Sequence, residues 1–315
     1  MHTNTSLGAR CTALDVVQGL DLRGRQAIVT GGASGLGLET SRALARAGAS
    51  VTLAVRNRAQ GEAAVALLQQ AQPGALLQVA DLDLANLASV QRFASAWGSA
   101  PLHMLINNAA IMACPLARTA QGWELQFAVN HLGHFALTMA LLPALRAGAP
   151  SRLVALTSTG HKLGGVDFDD IHFERRSYSK WLAYGQAKSA NALLALGVHL
   201  QHGADGITAN AVHPGGIMTG LQKHLAHDEM AALGWFKPDG TPLDLFKTPA
   251  QGAATSVWAA TSPTLAGRGG LYLEDCGIGQ PAPPSNRVNG FSPHVADPDG
   301  ALRLWAVSRA LLVSA

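Results

Sequence analysis

A chain of 315 residues with 48% hydrophobic content can bury one large core or two modest ones. A formal charge of +3 is small for that length and no Lys/Arg block stands out, which argues against nucleic acid as a partner. Cys11, Cys114 and Cys276 are few, odd in number and far apart, so a disulfide framework is not expected and a reducing, cytoplasmic location is.

The N-terminus lacks the basic-then-apolar pattern of a secretory signal, and no apolar run approaches the ~20 residues of a membrane span. Residues 1–24 read as an extension whose amphipathic piece at 13–20 packs on the outside of the domain. Residues 26–30 form a short β-like run, followed at once by Gly31-Gly-Ala-Ser-Gly35-Leu-Gly37 and a helix over 38–47 that Gly48 suits as a C-terminal cap. Strands are then expected at 51–55, at 76–79 running on to Asp81, and at 102–106 ending in Asn107-Asn108-Ala109-Ala110. Helices at 60–71 and 87–97 separate them, a long helix spans 121–145, and a strand follows at 152–156. A helix over 181–200 leads to a strand at 207–212; a helix at 250–260, a strand at 270–273 and a helix at 299–312 complete the chain. Strands alternating with helices call for βαβ units and a parallel sheet, an α/β fold. No linker or repeat divides it, so a single domain is expected over 25–280, with a C-terminal extension over 281–315. Residues 214–247 break the rhythm: long and interrupted by polar residues, they still carry Met218, Leu221, Leu225, Met230, Leu233, Trp235, Phe236, Leu243 and Phe246. Such an insertion reads as a lid or binding loop, or else as a helical pair covering the core.

Gly31-x-x-x-Gly35-x-Gly37 stands at the first strand–helix junction. Glycines there allow a tight turn and close approach of backbone to a pyrophosphate, whose charge the helix N-terminus favours. No Gly-Lys-Ser/Thr follows, so this is not a Walker loop. A cofactor lacking a 2′-phosphate prefers an acid after the second strand, and one carrying it prefers an arginine. The second strand ends Ala54-Val55-Arg56-Asn57-Arg58, which points Arg56 toward NADP(H), with NAD and a surface arginine as the alternatives. In the 181–200 helix, Tyr184 and Lys188 lie four apart and so share a face. A neighbouring ammonium favours a phenolate and lowers its pKa, making the phenol usable as an acid or base. Taken alone, the pair is equally an exposed structural contact. His131, His134, His161 and His213 have no carboxylate or cysteine joining them at ligand spacing, so no metal is expected.

Thr30-Gly31-x-x-x-Gly35-x-Gly37, Asn107-Asn108-Ala109, Ser158, Tyr184-x-x-x-Lys188 and Pro214-Gly215 occur in the order and spacing of the short-chain dehydrogenase/reductase family, which the sequence resembles over residues 20–275. Val129-Asn-His-Leu-Gly-His-Phe135 and Tyr184-Gly-Gln-Ala-Lys-Ser-Ala-Asn191 are most similar to its retinol-dehydrogenase and WW-domain-oxidoreductase branch. The resemblance implies a Rossmann-type, three-layer, doubly wound parallel β-sheet in a single domain. It implies Tyr184 as general acid/base, Lys188 as its tuner and a partner of the nicotinamide ribose, Ser158 as holder of the substrate oxygen, and Asn130 as holder of a water linking Lys188 to solvent. Gly31, Ser34, Gly35, Leu36 and Gly37 would face the pyrophosphate side, Asp81 and Leu82 the adenine, Asn108 and Ala109 the adenosine side. Pro214, Gly215, Ile217 and Thr219 would meet the carboxamide and pyrophosphate, and Met218 and Leu221 the substrate; His161, three residues past Ser158, either lines the substrate pocket or is a satisfied surface histidine. Thr157, next to Ser158, leaves open which hydroxyl serves. The implied activity is NAD(P)-dependent interconversion of a ketone or aldehyde and its alcohol, in a homodimer or homotetramer joined through the Asn130 and Tyr184 helices, and the apolar 214–246 segment points to a bulky, hydrophobic substrate. The alternative is a dinucleotide-binding regulator or scaffold without chemistry.

Overall fold

The computed structural model describes residues 7–283, 285–286 and 288–314; residues 1–6 of the N-terminal extension and 284, 287 and 315 of the C-terminal one lie outside the described residues. Strands β1 (Gln26–Thr30), β2 (Ser50–Val55), β3 (Leu77–Asp81), β4 (Met104–Asn107), β5 (Ser151–Leu156), β6 (Ile207–His213), β7 (Tyr272–Glu274) and β8 (Gly277–Ile278) form one sheet ordered β3-β2-β1-β4-β5-β6-β7-β8. All neighbours run parallel except β7 and β8. The order reverses at β1, between β2 and β4, and open sheets of this kind take ligands in the crevice outside such a reversal.

Successive strand residues point to opposite faces, and the two cores follow that period. Ala27, Val29, Ile106, Val154 and Val212 enter one core. There α1 (Ala13–Val16), α2 (Gly35–Arg46), α9 (Pro249–Gly252) and α10 (Ala254–Thr261) pack together. Ile28, Leu105, Leu153, Ala155 and Ala211 enter the other, beside α4 (Leu87–Trp97), α6 (Gly133–Ala147), α7 (Lys180–His202) and α11 (Pro298–Val313). The remaining helices are α3 (Arg58–Ala71), the single turn α5 (Leu125–Phe127) and α8 (His227–Ala232). A sheet covered on both faces explains why its strands read as continuous apolar runs.

Three details depart from the sequence reading. The long helix begins at Leu125, not 121, because Gly122 has φ +82° and the Glu124 carboxylate accepts the amides of Gln126 and Phe127 as an N-cap. Its start is broken by a π-helical turn, Ala128–Leu132, a feature that often accompanies function. The whole run Leu125–Ala147 has the length and apolar composition of a membrane span, contrary to expectation, yet 72% of its most apolar window is buried within the fold. Third, α11 lies along α7: a β-carbon on Gly197 would meet the Trp305 ring at 3.2 Å, and every residue of α7 from Ala183 to Val198 is buried. The chain's own last helix thus occupies a face that the resemblance assigns to subunit contact.

Candidate active site

Because the strands are parallel, the residues that follow β1 to β6 emerge on one edge of the sheet. That edge collects the glycine loop after β1, Arg56 after β2, Asp81 at the end of β3, Asn108 and Ala109 after β4, Ser158 after β5 and Pro214–Thr219 after β6.

The glycine turn needs its glycines. Gly31 and Gly35 have φ of +65° and +52°, and a β-carbon on Gly37 would stand 2.2 Å from the carbonyl of Gly31. Thr219 faces this turn across a gap, its Cγ2 3.6 Å from where a Gly35 β-carbon would be. Ser34, the N-cap of α2, gives no side-chain bond to the helix, whereas Asn57, Asn86, Ser179 and Asp297 each cap theirs. The first-turn amides of α2 therefore point outward without a side-chain acceptor, and an anionic pyrophosphate fits that cradle.

Arg56 is exposed and, among the described residues, makes no ion pair. Arg58 instead pairs with Asp81 at 3.0 Å, so the acid at the end of β3 is already partnered. Leu82 corrects its expected place against an adenine ring: its side chain is buried in the core and its amide donates to the carbonyl of Val55 at 2.8 Å. Ile217 is buried too, packed near Gly252, and its carbonyl accepts from the Gln222 side chain.

Thr30 ties the loop after β4 to the glycine turn. Its Oγ1 accepts the amides of Asn108 and Ala109, each at 2.9 Å, and lies 2.9 Å from Nε2 of the buried His134. Nδ1 of His134 lies 2.9 Å from the carbonyl of Asn130 in the π-turn. A carbonyl only accepts, so Nδ1 carries the hydrogen, and Nε2 accepts from the threonine hydroxyl, whose two lone pairs face the two amides. Burial pulls the His134 pKa down to about 4, in keeping with this neutral ring. The Asn130 side chain is itself engaged at both ends with the backbone of Ile111, at 2.9 Å each. One N–H of the amide and the second lone pair of its oxygen are left for the water that the resemblance implies.

Ser158, Tyr184 and Lys188 converge. A β-carbon on Gly160 would lie 2.8 Å from the Tyr184 ring and 3.4 Å from Ser158 Oγ, so the phenol and the hydroxyl stand over one glycine. Lys188 Nζ is 5.7 Å from the centre of the tyrosine ring and donates to the carbonyl of Leu156 at 3.0 Å. Thr157 drops out as the alternative hydroxyl, since it is buried and donates to the carbonyl of Lys188 at 2.7 Å. The electrostatics differ from the sequence reading. Burial pushes the Tyr184 phenol up to about 12, opposed by a hydrogen bond with Ser158, and pulls the Lys188 amine down to about 7. In the protein alone, desolvation therefore outweighs the attraction expected of a permanent ammonium.

His161 corrects its expected place in a substrate pocket. It is fully buried; its Nδ1 lies 2.6 Å from the carbonyl of Ser158, and its Nε2 accepts the amide of Ser292 at 3.0 Å. It fastens the C-terminal extension behind the serine. The expected pocket residues divide: Leu221 packs with Trp181, Leu225, Met230, Trp235, Met112 and Ala113 around Tyr184, and Met218 stands outside that cluster. His131 and His134 serve separate partners, His131 Nε2 lying 2.8 Å from Ser308 Oγ on α11.

A doubly wound sheet with a glycine-lined anion cradle at its reversal, facing a buried Ser–Tyr–Lys group, defines a dinucleotide-binding protein equipped to move a proton. Residues 25–230 match the family model described as short chain dehydrogenase. A probable oxidoreductase of Streptomyces antibioticus is 47% identical over 290 residues, covering 91% of this chain and 97% of that protein. Human (Homo sapiens) retinol dehydrogenase 14 is 36% identical over 306 residues, covering 92% and 87%. The crystal structure of a protein from Mycobacterium paratuberculosis is similar at a TM-score of 0.71 and 34% identity, covering 94% of this chain and 96% of that one. The chain belongs to the short-chain dehydrogenase/reductase family, in the branch of the retinol dehydrogenases and WW-domain oxidoreductases.

Proposed function

We propose that the protein is an NADP(H)-preferring oxidoreductase that interconverts a bulky, hydrophobic ketone or aldehyde and its alcohol. The observation that carries this reading is the position of Tyr184, beside the Ser158 hydroxyl and under an apolar cover built from Trp181, Leu221, Leu225, Met230 and Trp235. Such a cover excludes water and suits an apolar substrate around a single polar atom. A nicotinamide dinucleotide supplies the hydride when bound. The chain's own residues do the rest. The first-turn amides of α2 would hold the diphosphate, Thr30 and His134 fix the loop carrying Asn108 and Ala109, and Arg56 offers a guanidinium that pairs with none of the described acids where a 2′-phosphate would lie. Ser158 Oγ donates to the substrate oxygen. Tyr184, held protonated by burial, gives its phenolic proton to that oxygen during reduction and takes it back during oxidation. Lys188, whose amine burial brings down to about 7, can replenish the phenol.

The test is Tyr184→Phe, assayed by NADPH oxidation with a panel of lipophilic ketones and by NADPH binding. Turnover is expected to vanish while the dissociation constant changes little. Undiminished turnover would refute the acid/base assignment, and a wild-type protein that binds NADPH yet turns over no carbonyl compound would favour the regulator reading.

A further inference from the structure

Two cysteines separated by nearly the whole chain meet in the fold. Cys11 Sγ lies 3.4 Å from Cys276 Sγ, within van der Waals contact. Cys11 is partly exposed and Cys276 is buried, its amide donating to Thr255 Oγ1 at 3.2 Å. Both sulfurs sit where one link would join two anchors of the 214–247 segment. On the Cys11 side, Arg10 donates to the carbonyls of Phe246, at 3.1 Å, and of Asp244, while Gln251 donates to the carbonyl of Arg10 at 3.1 Å. On the Cys276 side, Asp275 receives Lys247 Nζ at 2.5 Å, and the Lys247 amide donates to the carbonyl of Gly216 at 2.8 Å. Asp275 and Cys276 form the β7–β8 turn with φ of 51° and 55°, a conformation that fixes where the buried thiol points. The third cysteine, Cys114, lies elsewhere, beside Tyr178.

We propose that Cys11 and Cys276 are a modification site: a dithiol that a peroxide converts into a disulfide, stapling the N-terminal segment to the β7–β8 turn and so clamping the return leg of the 214–247 segment. The peroxide oxidises the partly exposed Cys11 thiol to a sulfenic acid and is itself reduced to water. The Cys276 thiol then displaces hydroxide from that sulfur, its proton leaving with the hydroxide as a second water, and one S–S bond forms. Two electrons and two protons leave the pair in all. Burial pushes the Cys276 thiol well above the ordinary range, so it is the resolving partner and not the group that meets the oxidant first.

The experiment treats the full-length protein with hydrogen peroxide, alkylates the remaining thiols under denaturing conditions and digests with trypsin without reductant. The expected product is peptide 11–23 joined to peptide 269–287, two hydrogens lighter than the separate pair and separated again by dithiothreitol, with Cys114 alkylated throughout. Tm is expected to rise by about 5 °C. Chymotryptic cleavage within 214–247 is expected to slow by about threefold or more, because the clamp suppresses local opening. Cys11→Ser, at a partly exposed position, is expected to fold normally and to lose all three responses. Separate alkylation of Cys11 and Cys276 after peroxide, or over-oxidation of Cys11 beside an intact Cys276 thiol, would overturn the proposal. Formation of the link with an unchanged rate of cleavage in 214–247 would overturn the clamp.

Discussion

Gly160 and Tyr184 stand so close that a β-carbon on the glycine would lie 2.8 Å from Cε1 and 3.0 Å from Cδ1 of the tyrosine ring. The same β-carbon would be 3.4 Å from Ser158 Oγ. Any side chain at 160 must therefore push the phenol away from the serine. A displacement of ~1 Å in a reacting group can cost on the order of a hundredfold in rate. Gly160→Ala is expected to lower kcat by about ten- to a hundredfold with little change in cofactor affinity, since the atoms its β-carbon would meet belong to Tyr184 and Ser158. Steady-state kinetics beside NADPH titration would check this; unaltered kcat would show that the ring has room to move.

His134 makes a second prediction. It bridges Thr30 and Asn130, so it joins the start of the glycine turn and the loop after β4 to the π-turn. Replacing it by phenylalanine removes two hydrogen bonds and leaves a buried hydroxyl and a buried carbonyl with one partner fewer. Such a change costs about 2–4 kcal/mol. His134→Phe should lower Tm and weaken NADPH binding together, and His134→Gln, which can span part of the bridge, should recover some of both. A variant that loses stability but binds NADPH unchanged would mean that His134 supports the core alone.

The parallel sheet was legible because strands such as β1, β4 and β5 are short apolar runs followed within two residues by Gly, Asn or Ser, and the glycine loop sits at the first strand–helix junction. Residues 26–30, 152–156 and 207–212 read directly as β1, β5 and β6, within a residue. The antiparallel β8 was not legible, because two residues carry no period. Nor was the break in the long helix. A π-turn adds a residue to one turn without altering the apolar pattern, and the capping carboxylate of Glu124 resembles any surface acid in sequence. His161 was misplaced for a related reason. Three residues past Ser158 it reads as pocket lining, and only the distant Ser292 amide shows that the ring is buried and occupied. Cys11 and Cys276, 265 positions apart, become neighbours only through the fold. For Tyr184 and Lys188 the spacing gave the right face of α7, but not the desolvation that governs their charges.

The buried histidines predict acid lability. Burial holds His131 at about 3, His134 at about 4, His161 at about 4 and His213 at about 3, against 6.5 in the unfolded chain. Between those values the unfolded chain binds protons that the native chain refuses, so stability is whole above 6.5 and falls as pH falls below it. Each such group contributes up to about 1.4 kcal/mol per pH unit inside its window. Lys188, brought down from 10.5 to about 7, acts with the same sign at higher pH. Tm should drop markedly between about pH 7 and pH 5. A Tm independent of pH over that range would mean that these rings reach solvent or an acid partner.

Arg56 decides the cofactor prediction. The first acid beyond β2, Glu62, lies in α3, and Asp81 is paired with Arg58, so among the described residues no acid pairs with Arg56 where a ribose phosphate would rest. A guanidinium there can bind a phosphate through two parallel hydrogen bonds, which NAD cannot use. Arg56→Ala is expected to raise KM for NADPH by about tenfold while leaving that for NADH within about twofold, because charge-assisted bonds contribute about 1.5–3 kcal/mol each. Arg56→Asp should go further and reverse the preference, since a carboxylate repels the phosphate and accepts from a ribose hydroxyl. Parallel titrations of both cofactors against the two variants would check it. Equal losses for NADPH and NADH would place Arg56 outside the phosphate's reach.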